Sequence, residues 1–484
     1  MLWNTIDRAG TLALLFFSNL VLAHLLMPED FGCIAMINVF LAIADIFVHG
    51  GFGMALIQKT NATHIDFASV FYVNLVVSVI LYFAFFLSAP AIARFYNLPL
   101  LSKVLRVQAF VLIINSLSVV QLSILKRDLR FKDLAKRDLL SAFIGLSAGI
   151  ICAFCGLGVW SLVINLLATN IVGSFLLWSA SDWRPTLEFS FVSLRQLFSF
   201  GGLMMLSSLL GTIFDNLQSL IIGKFFSASE LGYVNQAKKL EGVPSGAISS
   251  VVTQVSFPVF AQIQDNREKL RYGVRKNVLA VQYINLPILV LLMVIAEPLI
   301  LFLYGRRWAT SIPYFQILCI SHLVGAIVPI NLSVLSAKGK GNTYLFTQII
   351  KCLLAIGVIS LSVKHGIYAL LFSFAMIPYI EFIVGAIINK RVIGYGCFKQ
   401  VFDMLPMFGI TVLAAVSSYV LKFIIPVHIY LLMAIQIIVF LTVYFGLTKL
   451  FKFEAYGIYI EIIKSRLHKR DDACKKYHEG DVLT

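Results

Sequence analysis

The sequence predicts an all-α polytopic membrane protein. Three observations carry that reading. Hydrophobic residues make up 59% of the 484-residue chain and charged residues only 13%, where a soluble chain would carry about a quarter charged residues. Apolar runs of about 20 residues recur from end to end, each long enough to cross a hydrocarbon core as a helix. The alternating pattern of a membrane barrel is missing, and helices are then the form in which a backbone in lipid satisfies its own hydrogen bonds.

Fourteen runs qualify as spans: roughly 5–27, 31–57, 67–89, 104–125, 139–157, 159–181, 196–223, 230–258, 277–303, 313–336, 343–363, 366–389, 402–424 and 428–449. The eighth is the least hydrophobic. The first lacks a basic leader and an A-x-A-like cleavage site, so it is expected to persist as a helix. With the N-terminus in the cytoplasm, the segments on that side hold 28 Lys and Arg and the opposite loops hold 6. Positive residues concentrate on the cytoplasmic side, so both termini are expected there. The net charge of +15 is thereby read as orientation, not nucleic-acid binding. The loop "KRDLRFKDLAKRD" at 126–138 fits anionic lipid head groups, with pyrophosphate capture as the alternative. The tail from 464 to 484 is expected to be disordered or surface-bound.

Seven cysteines are scattered along the chain. Cys152 and Cys155 form a C-x-x-C inside an apolar run with no second pair and no nearby His. They read as small packing residues, not as a metal or redox site, and no disulfide framework is implied.

The chain repeats itself. "HLLMPEDFG" at 24–32 matches "KFFSASELG" at 224–232, offset by 200. "SAPAIARFY" at 88–96 matches "AEPLILFLY" at 296–304, and "GVWSLV" at 158–163 matches "GIYALL" at 366–371, both offset by 208. The first six and second six spans therefore read as two copies of one unit. Six crossings return a chain to its starting side, so the copies are parallel. The expected organisation is an N-terminal six-helix lobe (1–182), a C-terminal six-helix lobe (183–390), two additional helices (391–450) and a basic cytoplasmic tail (451–484).

Ionisable groups at membrane depth cost about 2.5–3.5 kcal/mol each on insertion scales and normally face a bundle interior or water. Here they gather in the first two spans of each copy. Span two carries Asn38, Asp45 and His49 at steps of seven and four, one helical face, followed by Gly50, Gly51 and Gly53. Span seven carries Asp215 and Asn216 in a narrow polar stripe. Span eight carries Tyr233, Asn235, Gln236, Lys238, Lys239 and Glu241, with Pro244 and Gly246 interrupting it. Span one begins with Asn4, Asp7 and Arg8. The functional reading is a hydrophilic cavity in which Arg8, Lys238 and Lys239 attract an anionic ligand. The plainer readings are pairing of Lys238 with Glu241, snorkelling of Lys239, and an interfacial Arg8. Asp215 could bind a coupling cation, H+ or Na+, or hydrogen-bond across helices. Asp45 and His49 could relay protons or bond between helices. Lys351 and Glu381 read as packing or snorkelling groups.

No phosphate-binding loop G-x-x-x-x-G-K-[ST], no D-x-D and no H-E-x-x-H is present, and no resident cofactor is implied. No loop is long enough for a soluble catalytic domain. These absences argue against an ATPase and against a membrane-bound sugar polymerase or ligase.

The strings "LLMPEDFGCIAMINVFLAIADIFVHGGFGMALIQK", "LIIGKFFSASELGYVNQAKKL", "VSFPVFAQIQD" and "AEPLILFLYGRRW" together resemble the Wzx-type bacterial polysaccharide exporters, in particular the colanic-acid branch. These belong to the multidrug/oligosaccharidyl-lipid/polysaccharide flippase superfamily, and the resemblance runs from about residue 2 to 450. It implies a V-shaped bundle of two six-helix lobes plus two helices in a bacterial inner membrane. It implies a flippase, not an enzyme, that moves undecaprenyl-pyrophosphate-linked oligosaccharide from the cytoplasmic to the periplasmic leaflet by alternating access. Membrane lipids and polysaccharide polymerase machinery would be its partners. Arg8, Lys238 and Lys239 fit the cationic cavity of such proteins. Gln236 departs from the branch, which often has Arg there. The rival reading is an ion-coupled exporter of drugs or organic cations from the same superfamily, which would favour carboxylates over Lys and Arg.

Overall fold

The computed structural model describes residues 2–49, 52–59, 62–339 and 341–457, and most of their side chains. Nineteen α-helices lie among them. In the first half these are α1 (Leu2–Leu25), α2 (Pro28–His49), α3 (Phe52–Gln58), α4 (His64–Phe95), α5 (Leu100–Gln108), α6 (Val111–Ser116), α7 (Val119–Arg127), α8 (Phe131–Phe154) and α9 (Val159–Ala180). They continue as α10 (Phe191–Phe225), α11 (Ala228–Gln262), α12 (Arg267–Val294), α13 (Ala296–Tyr304), α14 (Ser311–Gly325), α15 (Val328–Ala337), α16 (Gly341–Ser362), α17 (Ile367–Ile393), α18 (Cys397–Ile424) and α19 (Ile429–Leu450). No strand is found among the described residues.

Among the described residues, ten helical stretches are long and apolar enough to cross a membrane, or eleven if the bent set α5–α7 is one span. The chain is a multi-pass helical membrane protein. The other expected spans fall on α1, α11 and α16. Polar residues along α11 lower its apolar character, which is the feature that made its span the weakest in the sequence.

Helix ends follow local chemistry. Thr63 caps α4 through a reciprocal box in which Thr63 N donates to Asp66 Oδ2 at 2.8 Å and Asp66 N donates to Thr63 Oγ1 at 3.4 Å. Lys59 reaches the same carboxylate at 2.8 Å. Asn266 accepts from the amides of Glu268 and Lys269 to start α12, the pattern in which an Asn side chain satisfies otherwise unpaired N–H groups. Gly394, in the left-handed region at φ 77°, ends α17, a conformation that costs glycine least.

The helices pack into two compact units, one comprising Met1–Gln236 with Leu303–Trp308 and the other Ala237–Phe302 with Ala309 onward. In the first, α8 pairs with α9 and α1, while α10 packs on α2, α3 and α4. Its apolar core includes Leu56, Val70, Phe71, Val120 and Leu197, with Trp178 and Trp183 packed against it. In the second, α14 packs on α17 and α12 on α18, which pairs with α19. A fully buried amide network there joins three elements. Asn331 and Gln400 exchange hydrogen bonds at 3.2 and 3.1 Å, and Asn389 donates to Asn331 Oδ1 at 2.9 Å. Nearby, Arg275 bridges Asp403 at 3.1 Å and Glu454 at 2.8 Å.

The repeated junctions meet inside the first unit. A methyl group added at Gly32 would lie 1.7 Å from the Ala228 carbonyl oxygen. One added at Gly232 would lie 1.9 Å from the Pro28 carbonyl oxygen. With the 200-residue offset the two contacts are each other's image: residue 28 meets 232, and 32 meets 228. The flanking contacts are crossed in the same sense. Gly223, at the end of α10, packs on Tyr96 and Met36, while Tyr304 lies beside Gln236 and Asn19, the latter near the end of α1. Lys224 Nζ donates to the Phe95 carbonyl at 2.7 Å, and its counterpart His24 lies beside Gly305, where an added methyl group would stand 3.7 Å from its ring. Trp308 completes the joint by donating to the Ala23 carbonyl at 2.9 Å between the rings of Phe31 and Tyr233.

Two predictions follow from this crossing. Gly32→Ala and Gly232→Ala should each lower the thermal midpoint of the detergent-purified protein, at an overpacking cost of about 1–3 kcal/mol or more. Gly446→Ala on α19, where nothing lies within 4 Å, should leave it unchanged or raise it slightly, by about 0.4–1 kcal/mol. Scanning fluorimetry compares the three; equal midpoints would show that the crossing tolerates a side chain.

Candidate functional site

The polar residues singled out in the sequence fall into separate groups, and most already have partners. On α2, Asn38 accepts from Gln108 Nε2 at 2.9 Å and Asp45 accepts from Asn115 Nδ2 at 3.1 Å. His49 Nε2 lies 3.8 Å from Asp45. Ser123 Oγ reaches the Gly53 carbonyl at 3.4 Å. All three cross-helix hydrogen bonds join residues 70 apart. The fourth span therefore runs alongside the second in one register, parallel to it, through its own two breaks. Gly50 and Gly51 lie outside the described residues.

On α10, Asp215 is exposed and Asn216 Nδ2 donates back to the Thr212 carbonyl at 2.9 Å. Tyr233 stacks edge-on against Trp308, and Gln236 is buried near Tyr304; these two, with Asn235 on the same turn, belong to the joint between the repeats. Arg8 lies on α1, but its side chain is outside the described residues, as are those of Asn4 and Asp7. Lys238 and Lys239 are exposed on α11.

Glu241 behaves differently. Its side chain is 2% exposed and accepts a short hydrogen bond from Ser245 Oγ, one turn on. His322 Nδ1 of α14 stands 3.2 Å away. The sequence reading passed over His322, although an ionisable residue inside an apolar run is itself a signal.

His322 opens onto a cavity of about 750 Å³ in the second unit, lined from α11, α14, α15, α16 and α17. Its polar walls include Ser249, Ser333 and Ser336, and Phe257 contributes an aromatic face. Lys351 and Glu381 also line it, paired at 2.8 Å across α16 and α17. These two were read from the sequence as packing or snorkelling groups; the structure places them together on a cavity wall. Their 30-residue separation gave no sequence cue to the pairing. A second ion pair, Lys422 with Glu297 at 2.7 Å, lines a cavity of about 380 Å³ between α12–α14 and α18–α19.

One further string deserves a structural answer. Gly145-Leu-Ser-Ala-Gly149 is a G-x-S-x-G that the sequence reading counted as absent; it has the spacing of a hydrolase nucleophile elbow, but that device needs a strand-to-helix turn. Here it lies within α8. Ser147 bonds back to the Phe143 carbonyl at 2.9 Å, Gly145 packs on Thr169 and Asn165 of α9, and Gly149 packs on Asn165 and Ser161.

A family model described as "Polysaccharide biosynthesis protein" matches residues 21–313. The chain belongs to that family. It is 24% identical over 428 residues to the lipopolysaccharide biosynthesis protein WzxC of Escherichia coli (strain K12), covering 87% of this chain and 86% of that one. It is 25% identical over 368 residues to the succinoglycan biosynthesis transport protein ExoT of Rhizobium meliloti (strain 1021), covering 75% and 74%. Its fold is that of the lipid II flippase MurJ in an inward closed conformation, with a TM-score of 0.76 at 15% identity over 93% of this chain and 99% of that one. The resemblance drawn from the sequence strings is thus borne out at the level of family and fold.

The Glu241–His322 contact generates a prediction. Removing His322 leaves the buried Glu241 carboxyl without its cross-helix partner at 3.2 Å, and leaving a buried polar group unsatisfied costs about 1–3 kcal/mol. His322→Ala should therefore destabilise the protein more than Glu241→Leu combined with His322→Ala. Unfolding midpoints in one detergent decide; a double variant no better than His322→Ala would show the two groups to be uncoupled.

Proposed function

We propose that the protein is a flippase that carries an undecaprenyl-pyrophosphate-linked oligosaccharide from the cytoplasmic to the periplasmic leaflet of a bacterial inner membrane by alternating access. The observation that carries this reading is family membership combined with end-to-end similarity to WzxC, in a chain whose polar groups sit inside apolar helices. The physical task fits such a chain. A glycan cannot cross hydrocarbon without leaving many hydroxyls unpaired, each at a cost of several kcal/mol. A lined path removes that cost, while the polyprenyl tail stays in the lipid. The repeat within the sequence and the mirrored contacts at 28/232 and 32/228 support two equivalent halves that exchange access. Polymerase machinery on the far leaflet would consume the product, and a coupling cation, H+ or Na+, could bias the cycle.

The rival reading, an exporter of organic cations, calls for carboxylates available to a ligand. Asp45 accepts from Asn115, and Glu241 is held by Ser245 beside His322. Lys238 and Lys239 are exposed, and so is Asp215. Side-chain exposure therefore favours neither reading, and the similarity to WzxC over 87% of the chain supports the anionic lipid-linked substrate, with Lys238, Lys239 and Arg8 as candidate contacts for its pyrophosphate.

The test is complementation of a strain lacking its own exporter, with lipid-linked oligosaccharide measured in each leaflet. Relief of inner-leaflet accumulation is expected; persistent accumulation across a panel of repeat units would reject the assignment. In the same assay the Lys238→Ala/Lys239→Ala double variant should cut export at least tenfold at unchanged membrane level. Export at the wild-type rate would remove both lysines from the substrate path.

A further inference from the structure

The cavity in the second unit has a chemistry of its own. Lys351 and Glu381 neutralise each other at 2.8 Å, with side chains 31% and 15% exposed. A carboxylate offers about four acceptor positions and an ammonium three donors, so one mutual contact leaves most of both unused. His322 turns Nδ1 toward buried Glu241 while 39% of its side chain remains exposed. Ser249 and Ser333 line the same space, and Phe257, 45% exposed, offers an apolar ring face.

Three ligand classes can be weighed against these groups. A pyrophosphate would meet one lysine already engaged and two carboxylates close behind, which is repulsive in a low-dielectric site. A polyprenyl tail would desolvate the ion pair and give it nothing in return. A neutral sugar fits. Its hydroxyls can donate to Glu381 and to the serine oxygens, whose own O–H groups at 333 and 336 donate to the Pro329 and Leu332 carbonyls, they can accept from Lys351 and His322, and its apolar C–H face can rest on Phe257. The volume of about 750 Å³ lies within the range of about 300–1,000 Å³ typical of pockets that enclose small organic ligands. Ser336, an exposed lining residue, lies close to the C-terminal end of α15, which the distribution of Lys and Arg assigns to the cytoplasmic side.

We propose that this cavity is a subsite for the sugar portion of the lipid-linked substrate, with Glu381, Lys351 and His322 as its hydrogen-bonding groups and Phe257 as its platform. The proposal rests on the flippase reading and adds to it a place for the glycan separate from the head-group lysines on α11. Loading from the cytoplasmic leaflet brings the glycan to the cavity mouth. Recognition through an electrically neutral pair lets the glycan leave again without breaking a charge–charge contact of its own.

The experiment uses full-length Ser336→Cys protein in proteoliposomes and follows its labelling by a membrane-impermeant maleimide, with the wild-type protein as background for the native cysteines. Two probes are added in turn: the undecaprenyl-pyrophosphate-linked repeat unit extracted from a polymerase-deficient strain, and undecaprenyl pyrophosphate without sugar. The glycolipid should slow labelling at least fivefold and the bare carrier should not. Lys351→Met/Glu381→Leu, which replaces the pair with apolar side chains and keeps the helices packed, should retain membrane level and lose the protection. If the protein relieves inner-leaflet accumulation of that glycolipid and the glycolipid still leaves labelling unchanged, the subsite is wrong and the flippase reading stands. Equal protection by the bare carrier would assign the cavity to the carrier and overturn the proposal. Failure of the wild-type protein to move the glycolipid at all would overturn both.

Discussion

The constraint on which the first unit depends is the approach of two backbones at the repeated junctions. Gly32 lies against the Ala228 carbonyl and Gly232 against the Pro28 carbonyl, each closer than any Cβ would permit. In hydrocarbon, apolar side chains gain nothing by leaving lipid for protein, so helix contacts rely on van der Waals fit between backbones brought close by small residues. The joint here takes that logic to its limit at two points related by the repeat. Everything around it is fixed by the same crossing. Tyr96 and Tyr304 each fill the space beside the first helix of the other copy. Trp308 reaches the Ala23 carbonyl because the segment 303–308 is drawn onto the first unit.

Away from that joint, polar contacts between helices set their register. The fourth span is broken at Ala109–Phe110 and again at Leu117–Ser118, and at the second break it bends by 42°. Yet its contacts with the second span keep one separation of 70 residues from Gln108–Asn38 to Ser123–Gly53. Hydrogen bonds between side chains in a membrane are worth about 0.6 kcal/mol on average, too little singly to dictate a fold. Three in register on one pair of helices set their relative translation, because a slip of one residue would break all of them.

Much of this was legible in the sequence, for a physical reason. Spans announce themselves because lipid demands about 20 apolar residues of any helix that crosses it. The repeated junction announced itself because the glycine at 32 and 232 cannot be replaced where backbones touch. Partners were harder to read. Asn38, Asp45 and Gly53 are spaced by seven and eight, and so are Gln108, Asn115 and Ser123; that shared spacing was a usable signal and went unread. Lys351 with Glu381 and Glu241 with His322 left no such trace, since each pair joins single residues on different helices. Their pairing is decided by how helices are arranged in space, which periodicity within one helix does not encode.

The contrast between the two kinds of polar residue bears on mechanism. The lysines at 238 and 239 stand exposed on α11, while Lys351 is matched to Glu381 on a cavity wall. Exposed positive charge attracts an anion from a distance, and the attraction weakens with screening. A neutralised pair exerts little long-range pull and acts only on what touches it. A carrier that must first capture a charged lipid head group and then handle a sugar of fixed stereochemistry needs both behaviours. Placing them on different helices lets each be tuned alone. Under the proposed assignment the head group is common to every substrate built on one lipid carrier, whereas the glycan varies, so variation in repeat-unit preference would concentrate around residues such as Phe257, Ser333 and Glu381 and leave Lys238 and Lys239 unaltered.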